Sequence, residues 1–439
     1  MTRGRAVALS TLALCGLVLG VHPVAAVTTA GSDAVAPYRT APGAEPVRGS
    51  ATSADGPSLK PGTYTDTISA GERKHYQVVL DDTSNAFVST VLAPPPGTEV
   101  GVLSGIRVSL ASPKGERCSN SSDVTFKGTT ARPIAGYATR RIEANRTCQE
   151  AGSYLYAVEW IGSDTGPGSA GWPIELKFMS EPGLKADAQA PSAPVTWSSQ
   201  APTARTGTAK RLTGGTGFND APAVGEGVWR DELSPGESRF YKVPVDWGQQ
   251  LFLDAELANS PTAQASAVVD GLQMALYNTA RGLVDGAGTS YLGKQAAVSL
   301  GTAPVAFSHR YRPQVDAISA MRFSGWYYVR VTLDQRIGGT LPMVLRVGVE
   351  GDPQPGPAYD GDATAAGFGI TEEGREAAEE GLVENGGAQN ATLRAVGITG
   401  ISLGTVLLLG LAAWTAILRG GGTGRRRKAA ETVPLPWEP

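Results

Sequence analysis

The sequence predicts an all-β fold: two antiparallel jelly-roll-like β-sandwich domains in tandem, followed by one C-terminal transmembrane α-helix. Three observations predict it. A strand–turn–strand pattern occurs twice in register, a charge-free apolar run lies near the C-terminus, and a second apolar run behind two arginines opens the chain. With 439 residues, there is room for two domains of ordinary size plus tails. The formal net charge of −3 provides no global field that would attract nucleic acid, and no nucleic-acid partner is expected. The 56 Gly and 30 Pro favour short strands joined by turns.

At the N-terminus, Arg3 and Arg5 precede an apolar run over residues 6–21, and Val24-Ala25-Ala26 offers a small-residue cleavage site. Residues 1–26 therefore predict a secretory signal peptide cleaved after Ala26. Cys15 leaves with it, because Leu14 before it is a poor match to a lipoprotein signal. Residues 27–58 are rich in Ala, Pro, Ser and Gly and predict a disordered arm.

An internal repeat organises the middle of the chain. Residues 62–78 recur without a gap as 227–243, and the register continues from Phe87-Val88 to Phe252-Leu253. Later pairs are 105–110 with 271–276, 152–158 with 325–331, and 173–177 with 342–346. Each piece alternates apolar and polar residues, as a strand burying one face requires. The first sandwich is placed at 59–181, a linker at 182–211 and the second sandwich at 212–350. Cys118 and Cys148 are the two cysteines of the mature chain. An even count in an exported protein predicts a disulfide between them.

Residues 351–393 are acidic and Gly-rich and predict a stalk. Residues 395–418 carry no charge and are long enough to cross a bilayer as a helix. Arg419, Arg425, Arg426, Arg427 and Lys428 follow, which keeps the tail 419–439 cytoplasmic. The expected localisation is the cell membrane, single-pass type I, with the N-terminal region extracellular.

Catalytic chemistry is not expected. His75 and His309 are the only histidines after the signal, and His75 has Phe240 at its matching position. No nucleophile elbow, paired-histidine metal motif or phosphate loop occurs. No catalytic residue, cofactor or metal is therefore assigned. The stretch Asp81-Asp82-Thr83-Ser84-Asn85-Ala86 approaches a metal-binding Asp-x-Ser-x-Ser loop, but Ala86 replaces the last serine and a turn is the expected reading. The candidate binding residues are the aromatics of the repeated strands: Tyr64, Tyr76, Trp229, Tyr241 and Trp247. They fill the two cores, or an exposed subset grips a partner or stacks on sugar rings.

The turns 71–78 and 236–243, each leading into a Tyr-containing strand, and the Gly-x-Tyr strands 152–158 and 325–331 resemble the bacterial pre-peptidase C-terminal domain. That resemblance covers some two sandwiches and implies a non-catalytic module. Residues 218–222, 233–237 and 245–249 resemble the ectodomains of actinobacterial membrane proteins that also carry a von Willebrand factor A domain, although this chain lacks that domain. The implied function is a non-enzymatic surface protein that binds a protein partner at the cell envelope, the resemblance suggesting a von Willebrand factor A protein. The alternative is a module for cell-wall or extracellular glycan.

Overall fold

The computed structural model describes residues 35–382, apart from 120, 145, 163–170, 187, 189–190, 192, 195, 200–206, 262–265 and 313–315. The expected signal peptide, transmembrane span and basic tail lie outside the described residues. Among those described, no helix is long and apolar enough to cross a membrane.

The first copy of the repeat comprises β1 (Glu45–Pro46), β2 (Ser58–Leu59), β3 (Gly62–Ile68), β4 (Arg73–Leu80), β5 (Asn85–Leu92), β6 (Gly105–Ala111), β7 (Ser122–Thr125), β8 (Ile134–Arg140), β9 (Gly152–Ile161) and β10 (Trp172–Glu181). The second comprises β11 (Lys210–Arg211), β12 (Gly227–Leu233), β13 (Ser238–Val245), β14 (Gln250–Leu257), β15 (Val268–Tyr277), β16 (Leu283–Tyr291), β17 (Ala296–Gly301), β18 (Gly325–Leu333) and β19 (Leu341–Glu350). A 3-10 turn, Phe307–Tyr311, and two short helices, α1 (Asp316–Ala320) and α2 (Glu372–Glu380), complete the described elements.

Each copy is a sandwich. In the first, a sheet ordered β1-β3-β10-β5-β8 faces one ordered β2-β4-β9-β6-β7; in the second, β11-β12-β19-β14-β17 faces β13-β18-β15-β16. Val78, Ile106, Tyr156 and Ile174 help fill the first core, and Val243, Leu272, Val329 and Leu345 the second. The long strands pair antiparallel, while β1, β2 and β11 add short parallel edges.

The repeat is exact in its hydrogen bonds. Gly71 and Gly236 turn the chain at φ 73° and 77°, a conformation glycine adopts without steric cost. At each turn a glutamate closes the corner: Glu72 accepts from the Ser69 N–H at 2.8 Å and Glu237 from the Ser234 N–H at 2.9 Å. Inside, Tyr76 donates to Asp66 at 2.8 Å and Tyr241 to Asp231 at 2.6 Å. Those aspartates also accept the N–H of Gly49 and of Gly214, both at 2.8 Å. A side chain on either glycine would strike the tyrosine ring.

Three segment expectations are corrected. The arm 27–58 is ordered from residue 35, where β1 and β2 add edge strands to the first sandwich. The linker 182–211 ends in β11, so the second copy begins before residue 212. The stalk 351–393 folds back onto the sandwiches over residues 351–382. There the Gln354 N–H donates to the Trp247 carbonyl at 2.8 Å, and Arg375 of α2 pairs with Asp246 at 2.9 Å. Composition suggested a disordered arm, a linker and a stalk, but edge hydrogen bonds and a few anchoring side chains supply what low hydrophobicity does not.

Candidate functional site

The two sandwiches pack against each other through the β1-β3-β10-β5-β8 sheet of the first and the β13-β18-β15-β16 sheet of the second, which the tandem reading did not anticipate. β5 is buried along its whole length. Val88 and Leu92 face its own core, whereas Phe87 and Val91 pack towards the second sandwich. Phe87 lies 4.9 Å from the Phe323 ring and 5.7 Å from that of Phe368, which belongs to the expected stalk.

Two carboxylates on β10 anchor this contact. Glu175 pairs with Arg281, accepts from the Asn219 amide at 2.9 and 3.0 Å, and takes the Ala41 N–H at 2.7 Å and the Tyr38 hydroxyl at 3.1 Å. Glu181 receives both Nη atoms of Arg310, at 2.7 and 2.8 Å, with Asn85 at 2.9 Å and the Tyr359 hydroxyl at 2.7 Å. Both carboxylates are met by several partners, as burial demands, whereas burial and then Arg281 lower Lys177, between them on β10, to about 7. Tyr38 from the expected arm and Tyr359 from the expected stalk thus both close the junction.

Beside this junction lies a cleft of about 860 Å³ walled by β7 and β8 of the first sandwich and by β15, β16 and the residues after α1 of the second. Arg132, Arg322 and Arg330 are each about 95% buried there, and Arg141 is half-buried. Arg117, Lys127 and Arg146 add positive charge to its lining. The lining acids are Asp123 and Asp270, and Asp123 is already held by both arms of Arg107 at 2.6 and 2.7 Å.

The four inner guanidiniums are held by neutral groups. Arg132 donates to the carbonyls of Thr130 and Phe126, Arg141 to that of Arg310, Arg330 to that of Pro133, and Arg322 to the Tyr137 hydroxyl. Among the described residues, none of the four has a carboxylate within ion-pair distance. The Nε atoms of Arg132, Arg322 and Arg330 are buried without an acceptor. Burial, and then the neighbouring Arg330, push Arg132 down to about 10; burial, then Arg322 and Arg146, do the same to Arg141. Cations crowded in a low-dielectric wall are destabilised together, and an anion among them removes that cost.

The sequence-selected aromatics are not part of this cleft. Tyr64, Tyr76, Trp229 and Tyr241 are buried in the two cores, where the tyrosines and the indole N–H find partners. Trp247 is half-buried and packs against the second core. His75 rests against the Ser50 carbonyl at 3.2 Å and His309 against that of Met321 at 3.1 Å. Asp81 holds the turn between β4 and β5 by accepting from the N–H groups of Thr83 at 2.9 Å and Ser84 at 2.6 Å. Cys118 and Cys148 are joined, with Cα atoms 5.4 Å apart, and Cys118 lines the cleft. The arginines escaped sequence reasoning because they are far apart along the chain and carry no local motif.

No family model matches the chain, and no curated protein matches it in sequence. Neither resemblance, to the pre-peptidase C-terminal domain or to the von Willebrand factor A proteins, finds support there. Among solved structures, the tandem CBM22 domain of Xyn10C from Paenibacillus barcinonensis aligns over 66% of this chain and 86% of its own at 10% identity, TM-score 0.19. The CUB1-EGF-CUB2 domain of human MASP-1/3 aligns over 65% and 99% at 9% identity, TM-score 0.17. The tandem CBM51 modules of Sp3GH98 from Streptococcus pneumoniae align over 66% and 84% at 8% identity, TM-score 0.18. Scores of this size carry no inference about ligand or activity, and the tandem β-sandwich architecture rests on this chain's own sheets.

Proposed function

We propose that this chain is a non-enzymatic cell-surface protein, anchored through residues 395–418, whose docked sandwiches bind a protein partner at the envelope through the cleft between them. The observation that carries the reading is the set of buried arginines that, among the described residues, have no carboxylate partner and lie at the junction of two packed domains, a usual place for a binding site. The glycan alternative keeps only the sandwich architecture and Trp247 in its support, since four of the five aromatics that suggested it are buried in the cores. The test is co-purification of the tagged full-length protein from its native membrane with mass spectrometry of its companions. A stoichiometric protein with the wild type, absent with an Arg141→Gln/Arg322→Gln variant of unchanged melting temperature, is the expected result. A solitary protein, or a companion indifferent to the variant, overturns the reading.

A further inference from the structure

Three outermost strands meet at the cleft. Among the described residues, β7 and β8 end the two sheets of the first sandwich and β16 ends a sheet of the second, each paired with a neighbouring strand on one side only. Such a strand presents unpaired N–H and C=O groups, which an incoming extended chain can satisfy. β16 lines the cleft with Gly286, Ala287 and Gly288; nothing crowds Gly286, while the Asp270 carboxylate lies over Gly288. Its exposed stretch faces the arginine-bearing wall of the first sandwich across the same space.

We infer that the cleft takes an extended, carboxylate-rich segment of the partner protein, its main chain along β16 and its carboxylates against Arg132, Arg141, Arg322 and Arg330. The inference rests on the protein-binding reading above and adds the chemistry of the bound segment. Carboxylates are selected because planar guanidiniums pair with them in forked geometry and because the cleft supplies no free acid of its own beyond Asp270. A peptide is selected over a polysaccharide because strand edges recognise a peptide backbone.

The experiment uses the full-length protein in detergent and a synthetic peptide of alternating glutamate and serine, with a glutamine analogue, polyphosphate and alginate as comparisons. Binding of the glutamate peptide is expected to weaken as salt rises and to fall roughly tenfold or more on Arg141→Gln. Arg146→Gln at the half-buried rim gives a second variant should Arg141→Gln fail to fold. Carbodiimide coupling is expected to join the bound peptide to Lys127, which is exposed at the cleft. Equal binding of the glutamine analogue, indifference to both variants, or preference for polyphosphate or alginate overturns the inference. A native partner that co-purifies while the glutamate peptide does not bind leaves the protein-binding reading standing and sinks only this one. Tight peptide binding without any native companion overturns the protein-binding reading and, with it, the assignment of the bound segment to a partner protein.

Discussion

Arg281 reaches out of a turn in the second sandwich to pair with Glu175 on β10 of the first, and both side chains are buried. Its backbone has φ 63°, where a non-glycine residue is strained, and the matching turn of the first copy has Gly115 at φ 82°. The turns are otherwise alike: the Asn278 N–H donates to the Gly282 carbonyl at 2.8 Å, as the Ser112 N–H does to that of Glu116. A backbone cost is thus tolerated where the side chain joins the sandwiches.

Removing that guanidinium leaves a buried carboxylate without its cation. Arg281→Ala is expected to lower the unfolding free energy by about 3–5 kcal/mol, read by urea denaturation. Arg281→Gly should lose about 1 kcal/mol less, because glycine relieves the left-handed backbone. A wild-type denaturation midpoint for the alanine variant would show that the pair does not lock the junction.

Below neutrality, acid should loosen the molecule in two steps. Burial disfavours the Glu175 carboxylate, but Arg281, Asn219 and the Ala41 N–H outweigh it and hold the group below its ordinary 4.5. Burial pushes His309 below its ordinary 6.5. Both folded values lie under the unfolded ones, so each contribution is complete above the unfolded pKa and is lost as pH falls through the folded one. Burial, then Arg281, lowers Lys177 from its ordinary 10.5 to about 7, so some stability is already lost as pH falls towards 7. Below about pH 6.5 the melting temperature should decline further through His309 and, below about pH 4.5, through Glu175. His309→Gln should remove the upper decline and Glu175→Gln the lower; a flat profile across this range would contradict both assignments.

Phe368 belongs to a segment whose composition suggested a stalk, yet its ring sits 5.1 Å from Phe323 and is 2% exposed. Phe368→Ala is expected to cost about 3–4 kcal/mol, the loss for a buried aromatic. An exposed tether would register no change in calorimetry.

The duplicated Asp–Tyr pairs allow an internal comparison. Tyr76→Phe and Tyr241→Phe should each cost about 1–2 kcal/mol, since each removes one donor from a buried aspartate. Similar losses from separate thermal scans would show that the two copies use the pair alike.

Reduction should act on the cleft wall. The Cys118–Cys148 bridge spans 30 residues, and Cys118→Ser with Cys148→Ser is expected to lower stability by roughly 3 kcal/mol. Hydrogen exchange should accelerate over β7 and β8 before it does in the second sandwich.

The strands, their duplication and the disulfide were legible because each leaves a local mark: alternation, a recurring register, an even cysteine count. Tyr76 and Tyr241 were visible as repeated aromatics, but one sequence does not reveal which sheet face is inward. The docking was hidden for a different reason. Glu175 reads as an ordinary outward polar residue of an alternating strand, and its partners Tyr38, Asn219 and Arg281 lie in three distant segments. The cleft arginines likewise converge only after both sandwiches form and meet. Polar ends such as residues 35–58 and 351–382 look unstructured because their order is borrowed from surfaces made elsewhere in the chain.

The pairing of Glu175 with Arg281 also bears on symmetry. In the matched registers of β10 and β19, the place of Glu175 is taken in the second copy by Val344. The place of Arg281 is taken in the first copy by Gly115. The two halves therefore meet through unlike patches, a head-to-tail relation that in identical units would generate an open-ended row rather than a closed pair. Here the row has no next member: the second copy lacks the acid to receive another arginine, and the first lacks the arginine to offer. Divergence at two positions makes this contact terminate at two sandwiches, and sets a fixed stoichiometry within one chain.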